Sequence, residues 1–146
     1  MKWISRSHIH IDRVAGPWLI KRFIDAQAEF LFVTPNLVSE VAKAEDAIPF
    51  DTRGAELGHQ ENHCSFVSII NKYGLKDPAL LELAEVVNAA DMGNMDANPY
   101  ARGLDAVATG YSLLYADDYQ NVEQQFPVYD ALYAFFRLRC AQGKNK

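Results

Sequence analysis

Two clusters of metal-capable side chains, with a pair of arginines beside the first, are the chemistry this sequence offers. The first cluster is His8-x-His10-x-Asp12. On an extended segment, alternate residues stand ~6.5–7 Å apart on one face, near enough for two imidazoles to share a metal. Asp12 is then a third ligand or a carboxylate that orients a histidine. The plainer alternative is a row of solvated side chains at a sheet edge. The second cluster is Glu56-x-x-His59-x-x-x-His63-Cys64. Glu, His and Cys all ligate first-row metals, and a glycine-bearing loop can fold them toward one point. Glu-x-x-His also serves di-metal carboxylate bundles, but inside a helix, and Gly58 argues against a helix here. His59-Gln60-Glu61-Asn62-His63 departs from the zinc-protease pattern, because Gln60 stands where the catalytic glutamate belongs. The alternative for this group is a wet polar loop.

Other residues extend these sets. Asp91 closes an apolar helical stripe; it is either a hydrogen-bonding residue at a helix end or a carboxylate turned into a cavity, where it completes a His/Glu/Asp set. Cys64 follows His63 at a helix start, where the dipole and an imidazolium would lower a thiol pKa, although such a cysteine is commonly a small buried apolar group. Arg6 and Arg13 flank the histidine segment, and paired guanidinium groups suit a tetrahedral anion. The tyrosines and phenylalanines between Tyr111 and Phe136 read as helix packing.

The elements that must position these groups follow from periodicity. Residues 2–12 read as a strand because polar and apolar residues alternate from Ser7, with His8, His10 and Asp12 on one face. Gly16-Pro17 opens a helix carrying Leu19, Ile20, Phe23 and Ile24 on its apolar side. Residues 28–33 form a second strand, 37–45 a short helix, and 48–51 a brief third strand. Residues 52–62 are loop, and a helix from 63 or 64 ends at Tyr73-Gly74. Beyond that the pattern is helical: one helix after the Asp77-Pro78 cap to Asp91, one over 104–115, and a last over 117–139 that Pro127 kinks or divides. Strands first and helices after make an α+β fold, a small three-stranded sheet packed on a bundle of about five to six helices.

Composition narrows the function. The 146 residues carry a net charge of −5, which argues against general affinity for the nucleic-acid backbone. Residues 1–24 nevertheless hold five basic side chains against Asp12 alone, a positive end able to gather a small anion. With 49% hydrophobic and 23% charged residues, and with neither repeat nor linker, one domain over 1–146 is expected. The apolar runs are too short for a membrane span or a signal peptide, and two cysteines fit a reducing compartment, so a cytoplasmic location is expected.

The block Asp12-Arg13-Val14-Ala15-Gly16-Pro17-Trp18-Leu19-Ile20-Lys21-Arg22-Phe23-Ile24-Asp25, preceded by Lys2-Trp3 and Arg6, resembles the opening of the chromate-resistance protein family. That family includes the domain called chromate resistance exported protein and the C-terminal half of chromate-responsive regulators. Ile48-Pro49-Phe50-Asp51, Glu56-Leu57-Gly58-His59, Cys64-Ser65-Phe66 and Asp77-Pro78-Ala79-Leu80 extend the resemblance, as does Val128-Tyr129-Asp130-Ala131-Leu132-Tyr133. The family pattern has Cys where this chain has Gly16, so thiol chemistry is not carried over to that position. The resemblance implies a role in tolerance of chromate or related stress, and it adds weight to Arg6, Asp12, Arg13, Glu56, His59 and Asp91.

Two functions follow as expectations. One is a small enzyme in which Glu56, His59, Asp91 and His10 hold one divalent Fe, Mn or Zn, while Arg6, Arg13 and Asp12 form the catalytic set acting on a small anionic substrate. The other is a sensor that binds chromate through Arg6 and Arg13 without turnover. Neither expects a nucleic-acid or membrane partner, and a homodimer is compatible with both.

Overall fold

A computed structural model of the protein describes residues 1–143; residues 144–146 and the side chain of Asp12 lie outside that description. Three strands, β1 (Lys2–Arg6), β2 (Glu29–Val33) and β3 (Ile48–Pro49), form an all-parallel sheet in the order β2-β1-β3. Trp3 stands opposite Phe30 on one side and Ile48 on the other. Parallel neighbours need a crossover between them. Here α1 (Ile11–Leu19), running on into a π turn at Ile20–Ile24, links β1 to β2. A 3₁₀ turn at Pro35–Leu37 and α2 (Val38–Glu45) link β2 to β3.

The central strand is buried on both faces. Trp3, Ile4 and Ser5 are all 0% exposed, as expected of a strand covered by helices on each side. Ile4 packs with Val38 and Ala47, against which Leu31, Val33, Val41 and Ala42 also rest, so α2 covers that face. Trp3 and Phe32 join the larger core with α1 and with α3 (Ser65–Lys72), α4 (Pro78–Asp91), α5 (Ala101–Leu114) and α6 (Asp118–Ala141). Among the described residues six α-helices and a three-stranded sheet make the α+β architecture that the element order implies. The Asp77 carboxylate caps α4 as its neighbour Pro78 suggested, accepting from the amides of Ala79 and Leu80. Pro127 does not divide the last helix, which runs through it as one element.

The first strand is shorter than its alternation suggests, and this corrects the reading of residues 2–12. β1 ends at Arg6; His8 takes a left-handed turn (φ 61°), and α1 begins at Ile11 with His10 at its N-cap. The competing signal is the helical stripe Ile11, Val14, Ala15, Trp18 and Leu19, every one 0% exposed. Burying a large apolar side chain is worth roughly 1.5–3 kcal/mol. That stripe outweighs the ~3 kcal/mol that Pro17 costs inside the helix. His8, His10 and Asp12 therefore do not share a strand face.

The turn from β1 to α1 is fastened from a distance. The Asp118 carboxylate accepts from the backbone amides of His8 (3.0 Å) and Ile9 (3.1 Å), and the Ser7 amide bonds Val33 O at 2.8 Å. This fixes where Arg6, before the turn, and Arg13, after it, can point. Asp118→Ala is expected to cost about 1–2 kcal/mol in urea denaturation, the size of charge-assisted hydrogen bonds partly open to water. An unchanged midpoint would mean that the turn holds itself.

Candidate functional site

Arg6 ends the central strand and Asp51 follows β3, so both lie at the carboxyl edge of the parallel sheet. The strand order reverses beside β1, because successive crossovers carry the chain first to β2 and then back across to β3. Crevices at that edge, where the order reverses, are the general binding position of open parallel sheets. An open cleft of about 520 Å³ sits there, lined by Arg6, Arg13, Asp51, Arg53, His59 and Asp91 together with Thr52 and Gly54.

Asp51 organises it. The residue is 4% exposed and has φ 46°, a left-handed backbone conformation uncommon outside glycine, although aspartate is among the residues that adopt it most readily. Its carboxylate accepts from Arg13 Nη1 at 3.1 Å and from Arg6 Nη2 at 3.5 Å, and its carbonyl accepts from Arg6 Nε at 2.9 Å. Arg13 Nη2 also donates to the carbonyl of His8 at 2.8 Å. Arg13 Nε is buried and has no hydrogen-bond partner among the described residues. Burial pushes the Asp51 carboxyl above its ordinary value, although Arg13 and Arg6 both pull it down.

The loop after Asp51 is closed on itself by backbone contacts. Phe50 and Leu57 form a parallel bridge, and the Asp51 amide bonds Leu57 O at 3.1 Å. A Cβ at Gly58 would lie 2.8 Å from the carbonyl oxygen of Thr52 and 2.9 Å from that of Ala55, so only glycine allows the chain to pass there. Ser68 Oγ donates to the carbonyl of Gly58 at 2.8 Å, and Ser65 Oγ donates to that of Leu57. This closed loop carries Arg53 at its outer turn and His59 at its exit.

The sequence-derived site residues separate into those the cleft gathers and those it does not. Arg6, Arg13, His59 and Asp91 are gathered; His59 Nδ1 stands 3.9 Å from Asp91 Oδ2. Glu56 is not. Its side chain is 71% exposed, pairs with Lys72 at 2.9 Å and does not line the cleft. His10 pairs with Asp105 at 3.3 Å, His8 is exposed, and Asp12's side chain is outside the described residues. Cys64 is fully buried at the N-cap of α3, in the position of a small apolar group. Among the described residues no group of three His, Cys, Asp or Glu is arranged to hold a metal ion. His59 and Asp91 offer two donors, against the three protein ligands usual in catalytic zinc sites, so no chemical step is derived through a metal.

Arg53 and Asp51 are the residues that the sequence reading passed over as site members. The signal was present. Strands joined by helical crossovers can pair in parallel, and where they do the residue after each strand faces one shared edge. That rule points to Arg6 and to the segment 51–54.

The family described as ChrB, C-terminal domain, matches residues 3–136. The chain is similar to Protein ChrB of Cupriavidus metallidurans, 33% identical over 137 residues, which cover 92% of this chain and 40% of that protein. It thus spans well under two thirds of the length of the curated relative it matches. No solved structure matches it.

The buried carboxyl sets a pH dependence. Its folded-state pKa lies above the ordinary 3.8, so the folded protein holds the proton more tightly than the unfolded chain does. The stabilising effect of that proton is complete below 3.8 and is lost as pH rises through the folded-state value. In urea denaturation from acid pH to neutrality, the stability of the native protein relative to Asp51→Asn is expected to fall as pH rises. A difference that grows with pH would show that the arginines, and not burial, govern this carboxyl.

Proposed function

The chain belongs to the ChrB C-terminal domain family of chromate-resistance proteins, and from that membership we propose that its cleft binds a tetrahedral oxyanion of the chromate or sulfate type. Arg6, Arg13 and Arg53 supply the donors, while His59 at the rim faces Asp91 and is not part of the donor set. The observation that carries this reading is that three arginines line one crevice of a protein whose net charge is −5.

Electrostatics support the same ligand. Asp51 and Asp91 offset only part of the charge that Arg6, Arg13 and Arg53 bring to the cleft, and Arg53 has no carboxylate within ion-pair distance among the described residues. Arginine forks match the edges of a tetrahedral anion, each edge accepting two parallel N–H bonds. Two of the three forks are already held by protein contacts, so little side-chain entropy is lost on binding. The orphaned Arg13 Nε is one donor for which an anion oxygen would be a partner after a small shift.

In this reading the domain senses or sequesters the anion, and its contribution to chromate resistance is recognition. Isothermal titration with chromate, and separately with sulfate, is expected to give saturable binding that weakens as salt rises. Arg53→Ala, which breaks no internal ion pair, is expected to weaken binding about tenfold, as loss of one charge-assisted bond implies. His59→Ala leaves binding nearly intact. Absence of saturable binding for both anions would overturn the reading.

A further inference from the structure

The oxyanion cleft is one lobe of a larger depression. A second, wider lobe of about 840 Å³ adjoins it and shares Arg6, Thr52, Arg53 and Gly54 with it. Its floor is apolar. Val38 and Ala47, both nearly buried, belong to the small core beneath α2, and Ala42, Pro35 and Pro49 extend that surface, while Asn36, Ser39, Lys43 and the exposed carboxylate of Asp46 line the lobe around it. Lys43 stands exposed at the rim, and like Arg53 it has no carboxylate within ion-pair distance among the described residues.

A bare four-oxygen anion displaces on the order of 100 Å³, a few waters at ~30 Å³ each. It would fill a fraction of the arginine lobe and leave the apolar one untouched. We propose that the site takes an organic anion: a tetrahedral or carboxylate head held by Arg6, Arg13 and Arg53, attached to a flat apolar body that lies on the Val38–Ala42–Ala47 floor. The proposal rests on the oxyanion reading of the arginine lobe and extends it to the neighbouring one. Small side chains on the floor favour a planar group over a branched one, because they leave a shallow, even surface. The two lobes meet at Arg6 and Arg53, so head and body would join there, with the guanidinium planes available to cover the near edge of a ring.

Titration with inorganic phosphate and with 1-naphthyl phosphate tests this. The two share a tetrahedral head and differ in the apolar body. The aryl ester is expected to bind about tenfold more tightly than inorganic phosphate, a gain in the range that burial of a ring gives. Arg53→Ala should weaken both ligands. Ser39→Trp, at an exposed α2 position lining the wide lobe, should remove the gain and leave inorganic phosphate binding unchanged. Ala55→Leu, at another lining position of the wide lobe, is a second variant expected to act in the same direction. Phosphate binding without a gain for the aryl ester, or a gain that survives both variants, would overturn this inference and leave the oxyanion reading standing. Failure of phosphate, the aryl ester and chromate alike would overturn both.

Discussion

A buried carboxylate gripped by two guanidinium groups fixes the carboxyl edge of the sheet. Asp51 reaches Arg13 and Arg6 from a left-handed backbone position that the Phe50–Leu57 bridge and the closed 51–58 loop hold in place. Taking a carboxylate out of water costs several kcal/mol, and this is recovered only where the geometry and the number of donors are both good. Here two arginines from different elements converge on it, one from the end of β1 and one from the first turn of α1, and they recover part of that cost. The cluster therefore ties three parts of the chain into a single arrangement. Its positive excess is what the proposed anion binding rests on.

The supporting structure is arranged around that cluster. Because β1 is central and the crossovers run first to β2 and then back past β1 to β3, its carboxyl end opens into a crevice where the strand order reverses. α2 lies on one face of the sheet and forms the floor of the wider lobe, while α1 and the remaining helices bury Trp3 and Phe32 on the other. Gly16 contributes quietly. A Cβ there would stand 3.2 Å from the Phe50 ring, so a cysteine at this position would require that ring to give way beside the very residue that precedes Asp51.

Much of this was legible in the residues. The second strand, the α4 cap at Asp77, the loop after Phe50 and the overall α+β order follow from periodicity, proline and glycine placement. Arg6 and Arg13 were marked because they bracket a histidine segment, and His59 and Asp91 because they are ligand types in suggestive positions; the cleft gathers all four. What misled was local alternation. Ser7 to Asp12 has the period of a strand, yet Ile11, Val14, Ala15, Trp18 and Leu19 have the period of a helix and bury more surface. A tertiary contact, Asp118 on the amides of His8 and Ile9, then stabilises a turn that no local pattern announces. Glu56 shows the other limit, since nothing in Glu-x-x-His says that Lys72, sixteen residues on, will draw the carboxylate outward.

The central claim is that Arg6, Arg13 and Arg53 act together on an anion. Arginine side-chain NMR of the uniformly ¹⁵N-labelled protein addresses it directly, because each Nε–H gives its own signal. Addition of sulfate is predicted to move the Nε signals of Arg6, Arg13 and Arg53 along one common saturation curve, with Arg22, Arg102, Arg137 and Arg139 unmoved. Equal small drifts at all seven arginines, or a saturating shift confined to the other four, would contradict the account.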